Sequence, residues 1–355
     1  MPRIRPLTFW LARKKLSSQG AQLLSVCRDV PSAANELRWI REHIVATPSK
    51  IPPNIRLQQL CCKRARGVPL QYILGTQPFG DLEILCRPGV LIPRPETESY
   101  TLKLATLIER NTPKHNPPLR ILDVCTGTGC IALQLHASLT PHIPTHIQAI
   151  DISPLAISVA ERNLSHNIKL KNLPQTPTPQ NTITFHPLSL FSPFLPPLLQ
   201  LEANPPDIII SNPPYISRAS FNTTTSRSVR IHEPRLALVP EHQDISFQLN
   251  CQPEDVFYAR VLLLAKELKG YPKMILFEVA DLEQAERVIR LVRRDGMLRG
   301  WYDVVEIWRD WPDGKREDRV VRGGEGEIPV VVRGIGEGRV VYLCNSRSRG
   351  SEGKE

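Results

Sequence analysis

The chain has 355 residues, a net charge of +10, 41% hydrophobic and 23% charged residues. That length allows about two domains with buried cores, and no uninterrupted apolar run of about 18 residues suggests a membrane span. Its eight cysteines make no CxxC pair, and no histidine cluster completes a zinc pattern, so free thiols in a reduced compartment are expected. The positive charge permits a nucleic-acid or ribosome-associated partner, and it is also common in organelle proteins.

The N-terminus carries Arg3, Arg5, Arg13, Lys14, Lys15 and Arg28, with no acid before Asp29. Phe9, Trp10, Leu11, Leu16, Leu23 and Leu24 lie between them. The stretch reads as a mitochondrial presequence or as a basic first helix of the folded protein. Both hold if an import signal is never removed. Helices are expected from about 7 to 75. Leu37, Ile40, Ile44 and Val45 sit at helical spacing, with Ser32 as the cap. "PSKIPP" at 48–53 breaks the chain, and a further helix runs to Gly67. A small helical domain over 1–76 follows. It shows no chemistry of its own and is expected to serve substrate recognition.

"PFGDLEILCRPGVL" alternates and contains Pro88-Gly89, which predicts a β-hairpin within a linker at 77–95. "RPETES" then opens a helix. Arg94, between two prolines, is expected to be extended and exposed. From 119 onward strands and helices alternate, which predicts a parallel, doubly wound α/β sheet over 96–345. The Gly-rich end carries two short apolar runs, expected to form an edge hairpin, and 346–355 reads as a disordered tail.

Three stretches of this α/β region carry chemistry. "LDVCTGTGCIAL" at 122–133 is a strand, a tight Gly loop and a helix. Gly127 and Gly129 let backbone approach a ligand closely. Asp151 ends the next strand, 22 residues beyond Gly129, where its carboxylate can accept from both ribose hydroxyls of an adenosine cofactor. The loop resembles the D/E-x-G-x-G-x-G form of S-adenosylmethionine methyltransferases, with Cys125 in place of the first Gly. Asp123 opens the loop and is grouped with the cofactor site.

"SNPPYIS" at 211–217 follows the strand "DIII". Two prolines remove two donors and fix φ near −65°, so the strand must stop in a stiff corner. The Asn212 side-chain carbonyl and the Pro213 main-chain carbonyl can accept the two hydrogens of a planar NH2 group. Tyr215 offers a face for that group. Two acceptors favour a pyramidal nitrogen with its lone pair aimed at an electrophilic methyl. They bind the transition state better than the ground state.

"RARGVPLQYILG", "LIPRPETE", "DVCTGTGCIAL", "AIDIS", "SNPPYIS", "HEPRLAL", "FEVAD" and "DGKREDRVV" occur in this order. Together they resemble the peptide chain release factor glutamine N5-methyltransferases over about residues 30–322. The resemblance implies a helical domain, a hairpin linker and a seven-stranded Rossmann-like methyltransferase domain. It implies S-adenosyl-L-methionine as cofactor and, as substrate, the glutamine of the Gly-Gly-Gln motif of a class I release factor. Thr126, Gly127, Thr128 and Gly129 would cradle the methionine part, with Asp151 on the ribose and Leu190 and Phe191 beside the adenine. Asn212, Pro213 and Tyr215 would hold the glutamine amide, with Asn212 also near the cofactor. Pro214, Arg94 and Glu96 would line the substrate channel. The Ser/Thr-rich 218–231 segment reads as an insertion or a docking loop. The expected protein is monomeric, binds no membrane and no nucleic acid directly, and works in the mitochondrial matrix, with the cytoplasm as the alternative. The rival readings are an NPPY-type methyltransferase of an exocyclic amine in DNA or RNA, and a non-catalytic assembly protein that keeps the fold.

Overall fold

The computed structural model describes residues 4–112, 117–241, 243–268, 271–314, 319–321 and 329–348. The described residues fall into two compact units. One takes the chain up to Gln77 together with Leu85–Ile92 and Thr224–Pro234; the other takes Pro78–Ile84, Pro93–Thr223 and the chain from Arg235 onward.

The first unit is helical: α1 (Pro6–Cys27), α2 (Val30–Ala46), α3 (Pro53–Ala65) and α4 (Leu70–Leu74). Helix α1 is broken at Ser17, which has φ 81°. Its later turns bury Ala21, Leu23 and Leu24 against Leu37 and Ile40 of α2 and Cys61 of α3. The apolar spacing of α2 is thus the core face that the periodicity predicts. The cap differs from expectation. Asp29, not Ser32, caps α2, because its carboxylate accepts from the Ser32 N–H at 2.7 Å and from the Ser32 hydroxyl at 2.8 Å. A half-buried bidentate pair, Arg64 to Glu36 at 2.7 and 2.8 Å, ties α3 to α2.

Strands β1 (Thr76–Phe79) and β2 (Leu82–Leu85) pair as a two-stranded hairpin. Its turn holds Gly80 in the left-handed region, at φ 57°. Pro88-Gly89, expected to be that turn, is a separate turn after the hairpin.

The second unit is built on a nine-stranded sheet in the order β5-β4-β3-β6-β7-β11-β8-β10-β9. In chain order it contains helix α5 (Pro95–Asn111), β3 (Leu119–Val124), α6 (Cys130–Leu139), β4 (Thr145–Asp151), α7 (Pro154–Lys169), β5 (Thr182–Pro187), α8 (Leu195–Leu198) and β6 (Ile208–Ser211). Short helices α9 (Arg218–Thr223), α10 (Arg227–His232) and α11 (Gln243–Gln248) follow, with α10 inside the segment assigned to the first unit. Then come α12 (Val256–Glu267), β7 (Met274–Glu278), α13 (Leu282–Arg294), α14 (Gly296–Trp301), β8 (Val304–Trp311), β9 (Arg319–Val321), β10 (Val330–Arg333) and β11 (Ile335–Cys344).

Strands β3 to β7 are all parallel. Their residues feed two cores. Leu122, Val124, Ile209, Ile275 and Phe277 face α12 and α13; Ile121, Ile147, Ile208, Ile210 and Leu276 face α5 and α6. Burial on both faces is why these strands read as continuous apolar runs. The α/β class stands, but the count and the edge differ from the sequence reading. Among the described residues the sheet has nine strands where seven are expected. The C-terminal run is no edge hairpin: β11 lies inside the sheet, antiparallel to both β7 and β8. The chain reaches it from β10 by crossing the end of β8. Gly334, at φ 82°, lies so close to Trp311 that a Cβ there would sit 2.3 Å from its carbonyl oxygen. The 218–231 segment forms two short helices rather than a plain loop. Ser346–Ser348 form a single 3-10 turn, and the rest of the expected tail, 349–355, lies outside the described residues, as do 315–318 within "DGKREDRVV".

Candidate active site

From β3 the chain steps outward to β4 and β5, then returns to β6 on the other side of β3. Ligands of open α/β sheets bind at such a switch point, beside the carboxyl ends of the strands. Here the ends of β3, β4, β6 and β7 carry the Gly loop, Asp151, the NPPY corner and Glu278. Register keeps them level: Val124 pairs with Ile150 and with Ser211, and Ser211 pairs with Phe277.

The Gly loop is a run of left-handed conformations: φ is 64° at Cys125, 57° at Gly127 and 79° at Gly129. Cys125 thus adopts a conformation that favours Gly at the position where the resembling motif has one. A Cβ at Gly129 would lie 2.9 Å from Ala160 and 3.2 Å from Phe185, so close helix-to-strand packing needs Gly there. A Cβ at Gly127 would meet nothing within 4 Å, leaving the loop backbone open to a ligand. The Thr126 hydroxyl donates to Asp123 Oδ2 at 2.6 Å, and Asn163 Nδ2 donates to the Thr128 carbonyl at 2.9 Å. Full burial pushes the Asp123 carboxyl up to about 7, against the pull of the Thr126 hydroxyl. Asp151 Oδ2 accepts from the Gly127 N–H and Oδ1 from the Ser153 N–H, both at 2.9 Å. Each oxygen keeps a lone pair for a hydroxyl of a ligand diol. Burial raises the Asp151 carboxyl and the two N–H groups lower it. An open backbone cradle with a two-acceptor carboxylate beside it fits an adenosine cofactor.

Leu190 is 3% exposed and packs into the core with Leu195 and Tyr258, while Phe191 is half-buried, with its ring edge-on to Phe257 at 5.1 Å. Whatever Leu190 offers a cofactor therefore comes from its backbone.

The NPPY corner is held from several sides. Ser211 Oγ donates to the Val124 carbonyl at 2.9 Å, tying β6 to the Gly-loop strand. The Ile216 N–H donates to the Leu238 carbonyl at 2.8 Å, and Gln284 Nε2 donates to the Tyr215 carbonyl at 3.3 Å. Gln284 is itself fixed by Asp255, which also takes Arg287 Nε at 2.6 Å. Pro213 and Pro214 are buried; Asn212 and Tyr215 are half-buried.

Asn212 Nδ2 donates to Glu278 Oε2 at 2.8 Å, and the Tyr215 hydroxyl donates to Glu278 Oε1 at 2.9 Å. Glu278 is 2% exposed. A third donor, the Thr97 hydroxyl, reaches Oε2 at 2.7 Å from the first turn of α5, and the Tyr258 hydroxyl donates to the Glu278 main-chain carbonyl at 2.8 Å. Burial raises the Glu278 carboxyl, while Thr97, Tyr215 and the Arg339 charge lower it. The sequence reading misses Glu278 and Thr97 as site residues. The signal is present in "FEVAD" and "RPETE", but nothing local ties either to Asn212. Arg94 is extended, as expected, at φ −105° and ψ 147°, yet half-buried rather than exposed. Its charge acts on the Tyr215 hydroxyl, which burial and Glu278 push up. Glu96 lies in the first turn of α5, half-buried. Among the described residues no group of three or more His, Cys, Asp or Glu could hold a metal, and no helix is long and apolar enough to cross a membrane.

A doubly wound sheet with a Gly-loop cradle, a diol-binding acid and an amide-bearing corner at adjacent strand ends defines an S-adenosylmethionine-dependent methyltransferase. No family model matches the chain. Curated proteins do. The mitochondrial MRF1 N(5)-glutamine methyltransferase MTQ1 of Saccharomyces cerevisiae is 32% identical over 90% of this chain and 86% of its own. The probable mitochondrial counterpart of Schizosaccharomyces pombe is 32% identical over 84% and 90%. The release factor glutamine methyltransferase of Geobacter sulfurreducens is 32% identical over 67% and 69%. Among solved structures, the N-terminal domain of human METTL16 in complex with SAH is 14% identical, covering 94% of this chain and 96% of that one, with a TM-score of 0.41. The chain belongs to the release factor glutamine methyltransferase family.

Proposed function

We propose that the chain methylates the side-chain amide nitrogen, N5, of the glutamine in the Gly-Gly-Gln motif of a class I peptide chain release factor. The observation that carries this reading is the state of Asn212. Its NH2 end is taken by the Glu278 carboxylate, so its carbonyl end is the one left to accept. The Pro213 carbonyl follows on a backbone that two prolines stiffen. Together they hold both hydrogens of a planar NH2 and draw off the positive charge that grows on nitrogen. Holding the two reactants in place supplies about 7–11 kcal/mol of the barrier. Tyr215 packs beside the amide plane, and Pro214, Arg94 and Glu96 line its approach.

S-adenosylmethionine, when bound, supplies an electrophilic methyl group. Asp151 would take its ribose hydroxyls, the backbone from Thr126 to Gly129 with Asp123 behind it would hold the methionine part, and the Leu190 backbone and Phe191 would border the adenine. The same acceptor pair would hold the exocyclic NH2 of a nucleobase; membership of the family selects glutamine.

In this reading the helical unit recognises the release factor, and the protein acts as a monomer without touching nucleic acid or membrane. The basic N-terminus, and two fungal relatives named as mitochondrial, support the mitochondrial matrix as its place of work. The test is mass spectrometry of a Gly-Gly-Gln release-factor fragment after incubation with the protein and S-adenosylmethionine. One added methyl on glutamine, absent when Gln is replaced by Ala, is expected. An unmodified fragment, with methyl transfer to DNA or rRNA instead, removes the reading.

A further inference from the structure

Resting on that reading, we infer that Glu278 is a positioning residue for methyl transfer: its carboxylate decides which end of the Asn212 amide faces the substrate. A carboxamide has an accepting end and a donating end of nearly equal shape, so packing alone does not choose between them. An ionised carboxylate does choose, because it only accepts. Glu278 takes Asn212 Nδ2 at 2.8 Å and the Thr97 hydroxyl at 2.7 Å on one oxygen, and the Tyr215 hydroxyl at 2.9 Å on the other. Turning Asn212 round would set its carbonyl oxygen against Oε2 at that same distance and present NH2 to an NH2 substrate. Both changes work against the reaction. Burial raises the Glu278 carboxyl, and the three donors and the Arg339 charge pull against that rise, toward the charged, accepting form. One group therefore orients Asn212 and anchors the Tyr215 hydroxyl, and it couples both to α5 through Thr97.

The arrangement predicts a rescue. In Asn212→Asp, two carboxylates meet at hydrogen-bond distance. Adding Glu278→Gln replaces one of them with an amide. Its NH2 can donate to one oxygen of the introduced carboxylate, whose other oxygen then accepts from the substrate. With the Gly-Gly-Gln fragment, Asn212→Asp is expected to lose about 100-fold in kcat. Adding Glu278→Gln is expected to recover at least about 10-fold of it; set against the 10-fold loss expected of Glu278→Gln alone, that is a coupling of about 100-fold, or about 2.7 kcal/mol. Glu278→Gln alone is expected to lower kcat about 10-fold with KM and cofactor affinity unchanged, because glutamine can lie either way round. A purely structural Glu278 gives losses that multiply. A double variant as weak as Asn212→Asp, or weaker, overturns the role.

If the glutamine variants do not fold, the pH profile of Asn212→Asp decides. The groups facing Glu278 are Tyr100 on α5, Tyr215 after β6, Tyr258 on α12 and Arg339 on β11. Burial pushes all three tyrosines up, and Arg339 is held in its charged form. The carboxylate pair is then what titrates. Asn212→Asp gains activity relative to wild type as pH falls and the pair takes up a shared proton, whereas a constant ratio refutes the role. Wild type that leaves the fragment unmethylated removes the proposed function and this role together. Active wild type with no rescue removes only the role of Glu278.

Discussion

Replacing Asp123 with Asn changes the pH dependence of stability by an amount the structure sets. Asp123 is fully buried, and its carboxyl is raised from 3.8 to about 7 by that burial. In the unfolded chain the same carboxyl ionises near its ordinary value. Between the two values the native state holds a proton that the unfolded state has released. The associated stability is fully present below about pH 4 and is lost as pH rises through about 7. A shift of about 3 units corresponds to roughly 4 kcal/mol. Asparagine stays neutral throughout and can still accept the Thr126 hydroxyl. At pH 4 the cofactor-free wild type and Asp123→Asn are therefore expected to unfold at similar temperatures. At pH 8 the variant should be the more stable, by up to about 4 kcal/mol, on the order of 5 °C for a protein of this size. Differential scanning calorimetry of both proteins from pH 4 to 8 reads this directly, since other titrating groups cancel in the difference. Curves that stay parallel across the range refute a buried, raised Asp123.

Three further changes test the site. Asn212→Ala is expected to cost at least about 100-fold in kcat while S-adenosylmethionine affinity by calorimetry stays within about twofold; retained activity would remove the acceptor mechanism. Asp151→Ala removes an acceptor for the diol and the partner of the Gly127 N–H. At roughly 1.5–3 kcal/mol for a charged hydrogen bond, cofactor affinity should fall about 10- to 100-fold, and an unchanged affinity contradicts the assignment. Gly129→Ala combines a left-handed φ with a 2.9 Å approach to Ala160. It should destabilise by about 2–4 kcal/mol in urea unfolding, and a neutral result would mean that the loop is more yielding than its packing implies.

What the sequence makes readable is what is local. A Gly loop between strand and helix, an acid at the end of the next strand 22 residues on, and two prolines that stop a strand are patterns within one or two neighbouring elements. The doubly wound alternation carries them to the same edge of a sheet. The network behind them is not local. Glu278 meets Asn212 across 66 positions and Thr97 across 181, and no spacing rule links such residues. "RPETE" reads as a substrate channel through Arg94 and Glu96; the hydrogen bond from that segment to Glu278 comes from Thr97. Strand order escapes for a similar reason. The run over 335–344 is apolar enough for any sheet position, and its place between β7 and β8 depends on a crossing marked by Gly334 and Gly336. The Ser32 cap loses to Asp29 because the helix starts at Val30, two residues earlier, so Ser32 lies inside the first turn and its own N–H is the one the Asp29 carboxylate accepts.

The most direct measurement is a crystal structure of the protein with S-adenosylhomocysteine and a Gly-Gly-Gln peptide. The glutamine NH2 is expected within about 3.2 Å of both Asn212 Oδ1 and the Pro213 carbonyl oxygen, with Asn212 Nδ2 still on Glu278. A glutamine held by other groups, or an Asn212 whose carbonyl is turned away from the substrate, would contradict it.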